Sequence, residues 1–175
     1  MTRPVWPVGA FVLALIGPIQ QSAAAEEAPP SPCAALAEPH VVVRTAAHKL
    51  YLCDKDGAVG SIFVVRPARN GVGKTRTGDK KVPLGSYPLG QPRRSKQYGT
   101  FVPIGFPLPE QRRRGYTGGD VGVHGPDRRI RWLGGLVNTF DTTDGCVGLA
   151  SDQEMDTLAA WLRRSGAHRI ILVDR

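Results

Sequence analysis

The chain has 175 residues, with 23 Lys and Arg against 15 Asp and Glu, a formal charge of +8. That length fits one domain with one sizeable core, and there is no internal repeat. Beyond the first 25 residues no apolar run is long enough to suggest a membrane segment, and no groove-reading nucleic-acid motif is present.

The N-terminus, "MTRPVWPVGAFVLALIGPIQQSAAA", reads as a secretory signal peptide. Arg3 is a minimal positive start, Val8 to Ile19 is mostly apolar but too short to span a bilayer, and Ala23-Ala24-Ala25 is a small-residue cleavage site before Glu26. An uncleaved anchor is the alternative. The reading therefore divides the chain into a leader (1–25), a flexible linker (26–38) opening "EEAPPSP", and one domain (39–175). Export to the periplasm or cell wall is expected. A basic surface there calls for an anionic partner, such as a cell-wall polymer or lipid head groups, and not nucleic acid. A monomer is expected, with no cofactor and no metal.

"HVVVRTAAHKLYLCDKDG" predicts two strands, around Val41 to Val43 and Leu50 to Leu52, with a turn after them at Lys55-Asp56-Gly57. "AVGSIFVVRPA" predicts a third. "GVGKTRTGDKKVPLGSYPLG" reads as loop with a short strand near Ser86 to Leu89. It is not a phosphate loop, because the required spacing needs a glycine at position 68 and that residue is Ala68. Arg93, Arg94 and Lys96, and then Arg112, Arg113 and Arg114, fall in Gly/Pro-rich loop sequence. "YGTFVPIGFP" predicts another strand, and Gly105 to Asp120 a loop that can cover a cleft. Val121 to His124 is a short strand that ends at Gly125-Pro126, which puts His124 at a strand end.

One helix is clear. Ser151 and Glu154 form a capping box, Met155, Leu158, Ala159 and Leu162 share a face, and Gly166 stops the run. "HRIILVD" closes the chain as a strand. The elements predict a mainly β, β-rich α+β domain, mostly antiparallel because most connections are short.

Three cysteines in an exported chain leave one over. Cys33 and Cys53 can pair across a short loop or remain thiols; in either case Cys146 is the candidate reactive thiol. A thiol near pKa 8.5 is only a few per cent thiolate at neutral pH, so a nucleophilic Cys needs a base beside it. Of His40, His48, His124 and His168, His124 is held between glycines at a strand end, where its side chain can point into a cleft. Taken singly, Cys146 would be a buried structural thiol and His124 a packed or exposed histidine.

The pair changes that reading. "HG" is followed, after eighteen residues between His124 and Thr143, by "TDGC". This resembles the catalytic domain of the L,D-transpeptidases (YkuD-type), whose signature is His-Gly, a spacer of this length, then Ser/Thr-x-Gly-Cys. "GKTRTGDKKVPLGSYPL" resembles a further family segment through Lys74, Gly78, Asp79, Pro83, Gly85 and Tyr87, and the resemblance extends over residues 40–175. Two positions depart from the commonest form. Asp144 stands where His is frequent, as in a variant branch, and Gly148 stands where an Arg that binds the substrate carboxylate is common.

The resemblance implies a β-sandwich with one main helix near the C-terminus, and a cell-wall enzyme acting on peptidoglycan stem peptides. Cys146 would attack the carbonyl between diaminopimelate and D-Ala to give a thioester. The acceptor would be a second diaminopimelate, a protein lysine or water, and so a wall-attached protein is a further partner. A hydrolytic carboxypeptidase or amidase, and a non-catalytic wall-binding module, are the competing readings. His124 would be the base, and the backbone N–H groups of Gly145 and Cys146 the oxyanion hole. Thr143 would fix the loop, while Asp144 or a backbone carbonyl would orient the imidazole. Tyr87, Tyr116 and Arg114, with Tyr98 and Trp132, are candidate cleft residues, and one of the arginines 112–114 is the candidate for the missing Arg.

Overall fold

A computed structural model describes residues 31–34, 36–129, 132 and 143–175. The leader, and the linker up to residue 30, lie outside the described residues.

The β-branched run of β1 (His40–Arg44) pairs antiparallel with β2 (Lys49–Cys53), and β2 with β3 (Val59–Arg66). β3 is long enough to serve two neighbours. Its first part pairs with β2, and its last two residues, Val65 and Arg66, pair with β8 (Val147–Leu149). The remaining strands are β4 (Gly85–Pro88), β5 (Arg93–Ser95), β6 (Gly99–Pro103), β7 (Gly122–His124) and β9 (Arg169–Val173). Among the described residues they form one curled nine-stranded sheet in the order β4-β9-β1-β2-β3-β8-β7-β6-β5. Neighbours are antiparallel except β1 with β9 and β7 with β8.

Alternation along the strands sorts side chains into two cores. Val41, Val43, Leu50 and Leu52 join Val147, Leu149, Ile170 and Leu172 in the main core. Val42 and Tyr51, on the opposite face, form a second cluster with Cys33 and Cys53. Those two cysteines are bonded. Residues of the linker reading are therefore tied to the domain: Cys33 is fully buried and Leu36 packs beside it on the outer face of the sheet.

The main helix, α2, spans Asp152–Ser165. Ser151 Oγ accepts from the Glu154 N–H at 3.2 Å, and Glu154 Oε2 accepts from the Ser151 and Ala150 N–H groups at 3.2 and 2.7 Å, the reciprocal cap that the sequence spacing predicts. Its apolar face, Met155, Leu158 and Leu162, is buried against the sheet, and the Trp161 indole donates to Asp54 Oδ1 at 3.1 Å. This anchors the turn between β2 and β3.

Two strands and a short helix differ from expectation. Arg93 and Arg94 lie in β5 and not in a loop, with Arg93 over the Phe101 ring at 5.0 Å. β8 follows directly on Cys146 where the sequence reads as loop. Within the segment 105–120 a short helix, α1 (Pro109–Arg113), forms, and Phe106 is buried in the core.

Candidate active site

The site lies where β7 and β8 run parallel. Val123 is opposite Val147 and His124 is opposite Gly148. Cys146 directly precedes β8, two residues before Gly148, so the two-residue period puts it on the same face as Gly148 and His124. The thiol and the imidazole are thus diagonal neighbours, one strand over and about 6.7 Å along. Across the strands each faces a glycine: Gly148 is opposite His124, and Gly122 is level with Cys146.

The imidazole is fixed on one side. His124 is buried, its Nδ1–H donates to the Gly125 carbonyl at 2.7 Å, and Tyr98 stacks on the ring with centroids 3.7 Å apart. Because a carbonyl faces Nδ1, that nitrogen carries the proton and Nε2 is the acceptor. Nε2 is buried with no hydrogen-bond partner. A backbone carbonyl, not Asp144, orients the ring. Asp144 is exposed and pairs with Arg69 Nε at 3.1 Å.

The thiol is half-buried and free. Its S–H donates to the Asp120 carbonyl at 3.6 Å. The loop before it is closed by Thr143, whose Oγ1 donates to the Cys146 carbonyl at 2.6 Å. Gly145 has φ +122°, where a side chain would be strained, and a Cβ there would lie 3.1 Å from the Lys81 carbonyl and 3.5 Å from Lys74 Nζ. Lys74 is thus the floor beneath the loop. It pairs with Asp79 at 2.8 Å, and both side chains are buried, 5% and 8% exposed. Burial pushes the Asp79 carboxyl up, but the Lys74 ammonium and the Arg76, Thr75 and Lys81 N–H groups outweigh it and hold the carboxyl well below its usual range.

Burial dominates the titration of both groups. It lifts the Cys146 thiol to about 11, although the Gly122 N–H and Lys74 draw it down. It lowers His124 to about 4, helped by the charge of Arg66 and opposed by the Gly125 carbonyl and Asp127. The resting pair is therefore neutral thiol and neutral imidazole.

Two cavities adjoin the pair. One, about 550 Å³, is lined by Cys146 with Lys74, Lys80, Arg93, Phe101 and Gly118–Asp120 among others. The other, about 380 Å³, is lined by His124, Arg66, Arg69, Asp127, Arg129 and Thr143. Gln97, Tyr98 and Asp144 line both, so these side chains form the wall between them.

Other candidates fall elsewhere. Tyr87 is 1% exposed; its hydroxyl donates to the Leu84 carbonyl at 2.7 Å and accepts from Gln111 Nε2 at 3.0 Å, which makes it a core residue. Tyr116 packs on Phe106, Arg114 caps α1, and neither they nor Tyr87 line either cavity, nor do Arg112 or Arg113. Trp132 is exposed. Residues that line the cavities without having been read as site residues include Gln97, Lys80 and the arginines at 66, 69 and 129. For Lys74 and Asp79 the sequence carried a signal, an opposite-charge pair five apart in a glycine-rich loop.

The model of the L,D-transpeptidase catalytic domain, YkuD, matches residues 38–171, and the chain belongs to that family. Among solved structures it is similar to the helical cell shape determining protein Pgp2 from Campylobacter jejuni, with a TM-score of 0.66 and 18% identity over 79% of this chain and 48% of that one. It is also similar to Bd1075 from Bdellovibrio bacteriovorus, at 0.58 and 17% over 81% and 49%. A third is an L,D-transpeptidase from Xylanimonas cellulosilytica, at 0.49 and 20% over 90% and 71%. The first two share the fold with this chain, which spans about half their length. No curated protein matches the chain.

Proposed function

We propose that this protein is an exported, cysteine-dependent acyltransferase of the periplasm or cell wall that acts on peptidoglycan stem peptides. The observation that supports this most is the diagonal pair: a free thiol and a buried imidazole whose Nε2 is unpartnered, on one sheet face beside two cavities. Family membership supplies the substrate class.

On this reading the stem peptide occupies the larger cavity with its scissile carbonyl over Cys146. Because thiol and imidazole are neutral at rest, the proton passes from Sγ to His124 Nε2 as sulfur attacks, and not beforehand. The N–H groups of Gly145 and Cys146 meet the developing oxyanion. The C–N bond then breaks, His124 returns the proton to the leaving amine, and a thioester remains. The second cavity lies on the side of the general base, where an incoming amine must approach. Its volume, about 380 Å³, has room for an amino-acid-sized acceptor, diaminopimelate or a protein lysine, as well as for water.

Intact-mass spectrometry of the protein with a disaccharide-tetrapeptide tests this. A covalent adduct is expected, absent in Cys146→Ser and greatly slowed in His124→Ala, and its conversion to a cross-linked product is expected on adding a diaminopimelate acceptor. Trimmed tripeptide alone would identify the hydrolase. No adduct would overturn the proposal and favour a wall-binding module.

A further inference from the structure

We propose that Tyr98 is a positioning residue for acyl transfer, its ring face stabilising the imidazolium that forms when His124 takes the thiol proton. This rests on the acyl-transfer reading above and adds to it the group that meets the positive charge at the base.

Aromatic rings gather at the base. Phe101 lies opposite His124 in the register of β6 and β7, with the two rings 6.4 Å apart and nearly parallel at 10°. Tyr98 stacks directly on the imidazole, with 3.7 Å between centroids and 22° between planes. That is well inside the roughly 6 Å over which a cation is attracted to an aromatic face. The tyrosine is fixed in its place. Its N–H donates to Ser95 Oγ at 3.2 Å, and the turn that carries it is tied to the segment following His124: Gln97 Nε2 donates to Asp127 Oδ2 at 2.8 Å, and the Arg128 N–H to the Gln97 carbonyl at 2.9 Å. Gly99, next in the chain, has φ +75°, and a Cβ there would lie 3.2 Å from Arg128 Nη2. The turn thus sits close against that segment, and one set of contacts places both rings of the stack.

As sulfur attacks the scissile carbonyl, the thiol proton passes to Nε2, the carbonyl electron pair goes to its oxygen, and the imidazole becomes a cation inside the protein. Among the described residues, the other groups at the imidazole meet that charge poorly. Its Nδ1–H already donates to a neutral acceptor, the Gly125 carbonyl. Arg66 from β3 opposes the cation and Asp127 beyond β7 favours it, while Arg69, Arg129 and Asp144 line the same cavity. Both carboxylates are engaged: Asp127 accepts from Arg129 Nη2 at 2.6 Å and Asp144 from Arg69 Nε at 3.1 Å. The Tyr98 phenol stays neutral, because burial first, and then the charges of Cys146, Asp127 and Asp144, raise its pKa. Its ring therefore offers attraction without a charge of its own. At rest it stacks on a neutral imidazole; once the proton has moved, the same contact is a cation–π pair. The stabilisation grows as the proton transfers, so it lowers the barrier more than the energy of the resting pair.

The test replaces Tyr98 with phenylalanine and with mono-, di- and trifluorophenylalanine, which keep the shape of the ring and withdraw electron density from its face in steps. Thioester formation from a disaccharide-tetrapeptide is timed by rapid-quench mass spectrometry. Tyr98→Phe should acylate within about twofold of the wild type, and the rate should fall stepwise along the fluorinated series. Tyr98→Leu, which has no π face, should be about 2- to 30-fold slower than Tyr98→Phe, the range for one cation–π contact. A second readout needs no substrate: the His124 titration, followed by nitrogen NMR, should move to lower pH along the same series, the direction set by a destabilised cation. A ring that only walls the cavities, or only holds the imidazole in place, would give one rate at every step, because its shape is kept. Flat rates across the series, with the adduct still formed, would overturn this inference and leave the acyl-transfer reading standing. No adduct in the wild type would overturn both.

Discussion

Replacing Asp79 with alanine would remove the acceptor for four donors: Lys74 Nζ and the Thr75 N–H at 2.8 Å, the Arg76 N–H at 3.0 Å and the Lys81 N–H at 3.2 Å. It would strand the Lys74 ammonium, 5% exposed, with the Arg76 carbonyl at 3.2 Å as an acceptor but no counter-charge from Asp79. Breaking a buried ion pair from one side costs about 3–5 kcal/mol, which for a domain of this size corresponds to a melting-temperature drop of about 10–15 °C. Urea unfolding followed by circular dichroism gives the number. Lys74→Met with Asp79→Leu should recover more than half of the loss, because no uncompensated charge remains. The pH dependence has a definite sign. The folded carboxyl sits below its ordinary 3.8, so its contribution is fully present above that value and is lost as pH falls through the folded value. The gap between wild type and Asp79→Ala should be constant from pH 5 to 8 and shrink only in strong acid. A loss below about 1 kcal/mol, or a double variant as unstable as the two single losses summed, would refute the account of a buried floor beneath Gly145.

Two further outcomes are expected. With the thiol near 11, about one part in 10⁴ of Cys146 is thiolate at pH 7, so iodoacetamide labelling should rise roughly tenfold per pH unit up to that value; a labelling plateau beginning near pH 5 would reveal a resting thiolate–imidazolium pair instead. Replacing Cys33 and Cys53 together with alanine removes a bridge between residues separated by 20 positions and should destabilise the domain by about 3 kcal/mol in urea unfolding, an unchanged midpoint arguing against the bridge.

What the sequence could reveal divides along physical lines. α2 was legible to its ends because capping box, apolar period and terminal glycine are local signals that agree. β1 and β2 were legible because their apolar runs are bounded by turn residues. β5, "RRS", and β8, "VGL", carry no pattern long enough to register; partners on neighbouring strands define them. Tyr87 read as a cleft residue because it falls in a segment that resembles the family's. In the fold its hydroxyl is satisfied internally by Leu84 and Gln111, and so it can be buried. Cys146 and His124 were legible as a pair through their glycines and spacing. Arg66 was not, because nothing in its own segment places it opposite Gly148; that requires knowing that β3 continues past β2 to pair with β8.

β9 is the final strand of the chain, yet it lies between β4 and β1 in the interior of the sheet, and Val41 is in register with Ile170. Until that strand arrives, β1 keeps a bare edge and β4 has no neighbour on that side. The pairing spans nearly the whole domain, so the loop closed is long and the contact order high, which slows folding. The described sheet therefore cannot close strand by strand in chain order: β1 and β4 are joined only through a segment that follows both in the chain.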